Sequence, residues 1–262
     1  MHTEDFITLT APLRAVGGGR VWSLMISLFG DLAQEDGTAI SGPVLSAMMS
    51  LLLVKPEAAR VALHRLRNDG WIASQKSGRI SQHRLTAKGR SESAAASPRI
   101  YAAPGDSSDN WQLVLLESTD MQTPASMAAQ GFTALMPRVY LGPADAKTPA
   151  QALSMPGQTP PDWLRAQAQP AALTTPYVDL YKALTDLKQR LSGSETLTGL
   201  QISVLRGLIV HNWRRLILRH PVLPTPLINP EWPGHQCHIQ VADLLARFPR
   251  PALQDISAET TS

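Results

Sequence analysis

Residues 56–86 constrain this chain more tightly than any other stretch. Pro56 suits a first helical position, where its missing N–H would find no intrahelical partner. Ala59, Ala62, Leu63 and Leu66 recur at helical spacing and predict a buried face over residues 56–68. Arg60, Val61, His64, Arg65 and Asn68 fall on the other side of the same helix. Gly70 stands where a helix-ending residue of positive φ is needed. Trp71 then opens a strand whose ring can close a small core. Lys76, Ser77, Gly78 and Arg79 sit between two short β-patterned runs, as the tip of a hairpin does.

Two further helices precede this unit. Val21, Leu24, Met25, Leu28 and Leu32 are helically spaced over residues 20–34. Ser41 is a good N-cap with Pro43 in the following first turn, and Val44, Leu45, Met48, Met49 and Leu52 make the next helix strongly apolar. Helix, helix, helix, hairpin is the order of a winged helix-turn-helix, a DNA-binding module. Arg pairs with guanine edges and Asn with adenine. Arg60, His64, Arg65 and Asn68 are therefore the candidate base contacts. Lys76, Arg79 and Arg84 are the candidates for phosphates or a minor groove.

The charge supports that reading over an ordinary solvated face. Residues 55–90 hold nine Lys or Arg against two acids, a net of +7, whereas the whole chain carries only +3. A local basic patch on a chain otherwise net negative is the footprint of a polyanion site.

At 262 residues the chain can form two or three small domains. Three are expected: 1–92, the winged module; 105–175, a central unit; and 176–262, a helical unit. The fold class is α+β. Residues 1–19 read as a loosely ordered arm, and the small polar residues 91–98 as the end of the first domain. Residues 111–117 read as a buried strand, 121–130 as a weak helix around Pro124, and 132–142 as a strand pair. Strand, helix, strand in so short a span suggests half of a small α+β sandwich. Residues 143–176, rich in Pro, Ala and Gln, read as loose connecting structure anchored at Trp163 and Leu164. Helices are expected over 177–191, closed by Ser192, Gly193 and Ser194, over 197–219, stopped by Pro221, and over 237–248. An extended bridge spans 223–230, and the tail after Pro251 reads as frayed. A single cysteine, Cys237, fits a reducing compartment. No apolar run approaches the ~20 residues that span a bilayer, and the acidic start has no signal-peptide pattern. These point to a cytoplasmic protein without a membrane partner.

Among chemistry-bearing clusters, His211, Trp213, Arg214 and Arg215 gather late in a long helix. The two arginines could hold the phosphates of a CoA-like anion, with Trp213 stacking on a ring. Equally, late-helix cations favour the dipole and the last carbonyls, and Trp213 could be core. His235, Cys237 and His238 match no common zinc spacing, so no metal site is assigned. Gly17, Gly18 and Gly19 lack the strand and the Lys-Ser/Thr of a phosphate loop. No nucleophile elbow, Walker or dinucleotide pattern occurs, so neither a catalytic residue nor a cofactor is expected.

Several stretches together resemble the PaaX-type repressors, regulators of phenylacetate catabolism. They are residues 19–24, 62–71, 77–79, 85–90, 98–101, 139–141, 211–216 and 232–234, which keep that family's order. The resemblance implies a winged helix, a central ferredoxin-like domain and a helical C-terminal domain. It also implies a homodimer that leaves its operator when an aryl-acetyl-CoA thioester binds. The helix at 121–130 departs from the pattern in lacking basic residues. The expectation is a homodimeric regulator of an aromatic-acid operon, most simply a repressor, on a pseudo-palindromic duplex. An anionic acyl-CoA effector would bind between the central and C-terminal domains. The alternatives are a winged-helix protein-interaction scaffold and, more remotely, an enzyme acting on a CoA thioester.

Overall fold

The computed structural model describes residues 1–191 and 196–259. The chain opens with α1 (Thr3–Val16) and α2 (Val21–Leu32). A two-residue strand β1 (Ile40–Ser41), α3 (Gly42–Leu51) and α4 (Pro56–Asn68) follow. The hairpin β2 (Ile72–Ser77) and β3 (Ile80–Leu85) leads directly into α5 (Ala87–Ile100). The strands pair antiparallel in the order β1-β3-β2. The hairpin is thus part of a three-stranded sheet, because Ile40 pairs with His83.

A second antiparallel sheet forms from β4 (Trp111–Leu115), α6 (Thr123–Ala129), β5 (Thr133–Met136), β6 (Val139–Pro143) and β7 (Leu153–Pro156), in the order β5-β6-β4-β7. Met127 of α6 packs on Val114 and Tyr140 on one face. Leu164, Ala168 and Leu227 cover Trp111 and Leu141 on the other. Then come α7 (Asp162–Ala168), α8 (Ala171–Arg190), α9 (Gly199–Ile217), a 3-10 turn at Thr225–Leu227, α10 (Pro233–Arg247) and α11 (Leu253–Glu259). The expected Ser192–Gly193–Ser194 stop lies outside the described residues. No helix among the described residues is long and apolar enough to cross a membrane.

Four local expectations are corrected. Residues 1–19 are not a loose arm. Phe6, Leu9, Thr10 and Leu13 recur at helical spacing and are buried on one side of α1, where Pro12 and the lack of a capping side chain obscured the pattern. Residues 91–98 are helical, forming the second half of α5. Alanine is the best helix former, Thr86 caps α5 by accepting from the Gly89 N–H at 3.1 Å, and a boundary at 92 would cut this helix in two. Residues 143–176 contain β7 and α7, and the residue that anchors them is the buried Leu164, since Trp163 is 60 % exposed. After Pro251 the chain forms α11, with Ile256 fully buried.

One continuous core joins α1 to α5 with α8 to α11, while the second sheet has two small clusters of its own. The seam of the large core runs between α2 and α9. A Cβ at Gly207 would lie 2.3 Å from Leu28 Cδ2, so any larger residue there would displace the buried Leu28 side chain. One residue away, the fully buried Asp31 carboxylate accepts Arg206 Nε and Nη2, both at 2.9 Å, the Tyr101 hydroxyl at 2.8 Å and Arg250 Nε at 3.1 Å. The Tyr101 hydroxyl is held protonated far above its usual range, first by burial and then by the adjacent Asp31 charge.

Candidate nucleic-acid interface

The chain enters α4 through a tight turn. Leu53 takes φ +57°, and the Val54 N–H donates to Met49 O at 2.9 Å. Lys55 precedes Pro56, which occupies the first turn as expected. Ala62 and Leu66 are buried, and Ala59 and Leu63 pack partly against the same core. The helix stops in a paired-bond cap: Trp71 N–H donates to Leu66 O at 2.8 Å and Gly70 N–H to Arg67 O at 3.0 Å. Gly70 has φ +71°, a left-handed conformation that glycine adopts without a Cβ clash. Each signal places the same face outward. Arg60, Val61, His64, Arg65 and Asn68 are all exposed.

The polar groups on this face hold one another in position. Arg60 Nη2 donates to Glu57 Oε1 at 2.8 Å. His64 Nδ1 and Asn68 Nδ2 are 3.3 Å apart. Arg65 lies over the Trp22 ring, 4.4 Å from its centre, with Nε 3.5 Å from Asp69 Oδ2. Trp22, from the first turn of α2, is a contributor that the sequence reading did not name.

The hairpin tip turns at Gly78, φ +63°, between the paired Ser77 and Ile80. Lys76 and Arg79 are exposed there. Arg84 is exposed as well, but it pairs across from Ala73, and strand alternation puts it on the opposite hairpin face from Lys76. His83, on the inner face, is buried and shares a hydrogen bond with Ser74 Oγ at 2.8 Å. Burial, aided by the charge of Arg67, pushes its pKa down and keeps the ring neutral. Two cations of the basic stretch serve the fold. Lys88 Nζ donates to Asp69 O at 2.9 Å at the end of α4, and Arg90 Nη1 meets Leu85 O and Asp36 Oδ1, both at 3.0 Å.

The late-helix side chains are engaged within the fold. His211 is buried, with Nε2 3.0 Å from Gly17 O and Nδ1 3.3 Å from Ser27 Oγ. Burial pushes its pKa down to about 4. Trp213 is buried and donates to Ile100 O at 3.0 Å. Arg214 donates to Ser23 Oγ at 2.9 Å and Ser27 Oγ at 3.2 Å. Arg215 donates to the Val16 and Gly17 carbonyls. These side chains tie α9 to α1, α2 and α5. Cys237 is likewise engaged, donating to Tyr177 O at 3.2 Å, and burial pushes its thiol up to about 12.

Each of the four side chains borders a cavity, and Trp213 lines the aromatic one. That cavity, of about 240 Å³, lies where the end of α5, the 102–107 and 220–228 connections and the start of α10 meet. The lining is aromatic. Trp232 lies edge-on to Tyr177 at 4.8 Å and tilted to His220 at 4.9 Å, and Trp213 stacks on His238 at 5.1 Å. Arg99 of α5 donates to Ile217 O at 2.6 Å and to His220 O, which fixes one wall. Burial, with the nearby Arg99 charge, pushes the His220 pKa down to about 4.

The geometry agrees with what comparison finds. Residues 20–89 match the profile of the PaaX-like proteins, and residues 169–257 match that of the PaaX-like C-terminal domain. The chain belongs to the PaaX-like family. The transcriptional repressor PaaX of Escherichia coli (strain K12) is 27 % identical, over 90 % of this chain and 82 % of the relative. That PaaX-like relative is a regulator, not an enzyme. In fold, the chain is similar to the uncharacterized protein Rv0674 from Mycobacterium tuberculosis. The TM-score is 0.53 at 18 % identity, covering 92 % of this chain and 98 % of the other.

Proposed function

We propose that this PaaX-like chain is a cytoplasmic DNA-binding repressor that acts as a homodimer and is released by an aryl-acyl-CoA thioester. One observation carries the reading. α4 presents Arg60, His64, Arg65 and Asn68 on an exposed face, beside a hairpin tip bearing Lys76 and Arg79. In a winged helix-turn-helix such a helix enters the major groove while the wing meets the backbone. Residues 1–100 form that winged module in this reading, packed on the C-terminal helices. Residues 105–168 form a central ferredoxin-like unit. The strand order β5-β6-β4-β7 supports this, although the segment between β6 and β7 lacks that fold's second helix. Two copies would read half-sites separated by whole helical turns.

The aromatic cavity is the better seat for an effector than the late-helix arginines, which are already engaged. A cavity of ~150 Å³ accepts benzene, so about 240 Å³ accommodates an aryl-acetyl group, with the CoA moiety outside. α5 links the two sites. It begins immediately after β3 of the wing and ends at Arg99 on the cavity wall. An effector that prefers the off-DNA arrangement of α5 shifts the population away from the operator.

Fluorescence anisotropy on duplex from the region upstream of the gene, with and without phenylacetyl-CoA, tests this. Tight salt-dependent binding that the thioester reverses is expected. Binding with no response to any acyl-CoA would overturn the effector part, and no binding to duplex would favour a protein-interaction module.

A further inference from the structure

We infer that Val61 is a specificity-determining residue that reads the C5-methyl group of a thymine in the major groove. This rests on the DNA-binding reading above and adds a named base feature to it.

Val61 is 69 % exposed, in the middle of the outward face of α4. On the helix surface its polar neighbours are Glu57, His64 and Arg65, three or four residues away. Each of these has a partner on or beside the helix: Glu57 with Arg60, His64 with Asn68, and Arg65 with Trp22 and Asp69. The polar groups around it thus already have partners, and the two γ-methyls of Val61 are left exposed, turned away from the core side of the helix. The opposite side, Ala62 and Leu66, supplies the packing.

The fold gains little from those methyls. A β-branched side chain loses χ1 freedom in a helix. At an exposed position no burial offsets that loss, so alanine would suit the helix better. The methyls gain a purpose only when something apolar meets them. Among base edges of the major groove, the thymine methyl is the apolar feature, and small aliphatic side chains are its usual partners. The surrounding arginines would engage phosphates or guanine edges on either side of that contact.

The test uses the full chain and duplexes enriched from a random pool. Each thymine of the best duplex is replaced in turn by deoxyuridine, which lacks only the methyl. The wild type is expected to lose about fourfold in affinity at one thymine per half-site, the equivalent of ~0.8 kcal/mol for one buried methyl. Val61→Ala is expected to bind the thymine duplex about as weakly as the wild type binds the deoxyuridine duplex, and to lose the distinction between them. Val61→Thr, which keeps one γ-methyl, is expected to keep part of it. Melting temperatures of the variants at or above the wild type's would confirm that folding is unaffected. Full thymine discrimination by Val61→Ala, or wild-type indifference to every replacement, overturns the assignment. Failure of any duplex to enrich instead overturns the DNA-binding reading itself.

Discussion

The guanidinium of Arg65 lies over the indole of Trp22, 4.4 Å from the ring centre, so a residue of α2 helps set the direction of an arginine on the outward face of α4. Both side chains keep solvent access, and the contact limits the rotamers Arg65 explores before it meets DNA. Arg65→Ala is expected to weaken specific binding by about 1–3 kcal/mol, as for a base-contacting arginine. Trp22→Ala should cost less, ~0.5–1 kcal/mol, the scale of an exposed cation–π contact. The Trp22 loss should appear on the specific duplex and not on a shuffled one. Equal losses on both in an anisotropy titration would mean that Trp22 supports the fold and does not aim Arg65.

The wing makes a different claim. Arg79 sits at the hairpin tip beside Gly78, too far along the turn to pack on the core. Arg79→Ala should weaken binding to every sequence alike and lower the slope of log affinity against log salt by about 1. An unaltered slope would place the wing off the backbone.

Asp31 is the buried hub between α2 and α9, and its partners are Arg206, Tyr101 and Arg250. Removing the carboxylate leaves the buried Arg206 charge unpaired. Asp31→Ala is therefore expected to destabilise the chain by about 3–5 kcal/mol. The double variant Asp31→Leu with Arg206→Met should recover much of that, because no orphan charge remains. Chemical denaturation of the three proteins gives the comparison, and a double variant no better than the single would contradict the pair's role.

Acid should loosen the packing along and just beyond α9. His211 is buried and His220 half-buried, and both are held near a pKa of about 4, against about 6.5 for a free imidazole. Their folded-state values are depressed, so the stability they contribute is complete above about pH 6.5. It is lost as the pH falls from there toward 4, where the unfolded chain takes up protons first. The melting temperature should fall across that window. His211→Gln should flatten the fall, and an identical acid profile in that variant would show that the ring is not buried neutral.

Much of α4 and the hairpin was legible because the signals are local. Pro56 marks the start, Gly70 the stop and Gly78 the tip, and each acts within a few residues of itself. The turn before α4 was harder, because Leu53 adopts the left-handed conformation that glycine would have advertised. α1 was missed for want of a cap. α5 was missed because an alanine-rich run with Pro98 looks like a linker until packing is known. The fold contacts of the α9 arginines were out of reach for a longer-range reason. The partners of Arg214 and Arg215 are Ser23, Ser27, Val16 and Gly17, nearly 200 residues earlier. No spacing rule relates positions so distant. The aromatic cavity escaped notice for the same reason, since Arg99, Tyr177, Trp213 and Trp232 come from α5, α8, α9 and the residue just before α10.

The most direct measurement is a competition titration of the full chain at about 0.15 M salt, with upstream duplex against a shuffled duplex of the same length. A sequence-reading regulator should prefer the upstream duplex by at least ~10³-fold, and the preference should collapse when Arg60, His64 and Arg65 are replaced together by alanine. Equal affinity for the two duplexes, or a preference that survives loss of those three side chains, would contradict the account.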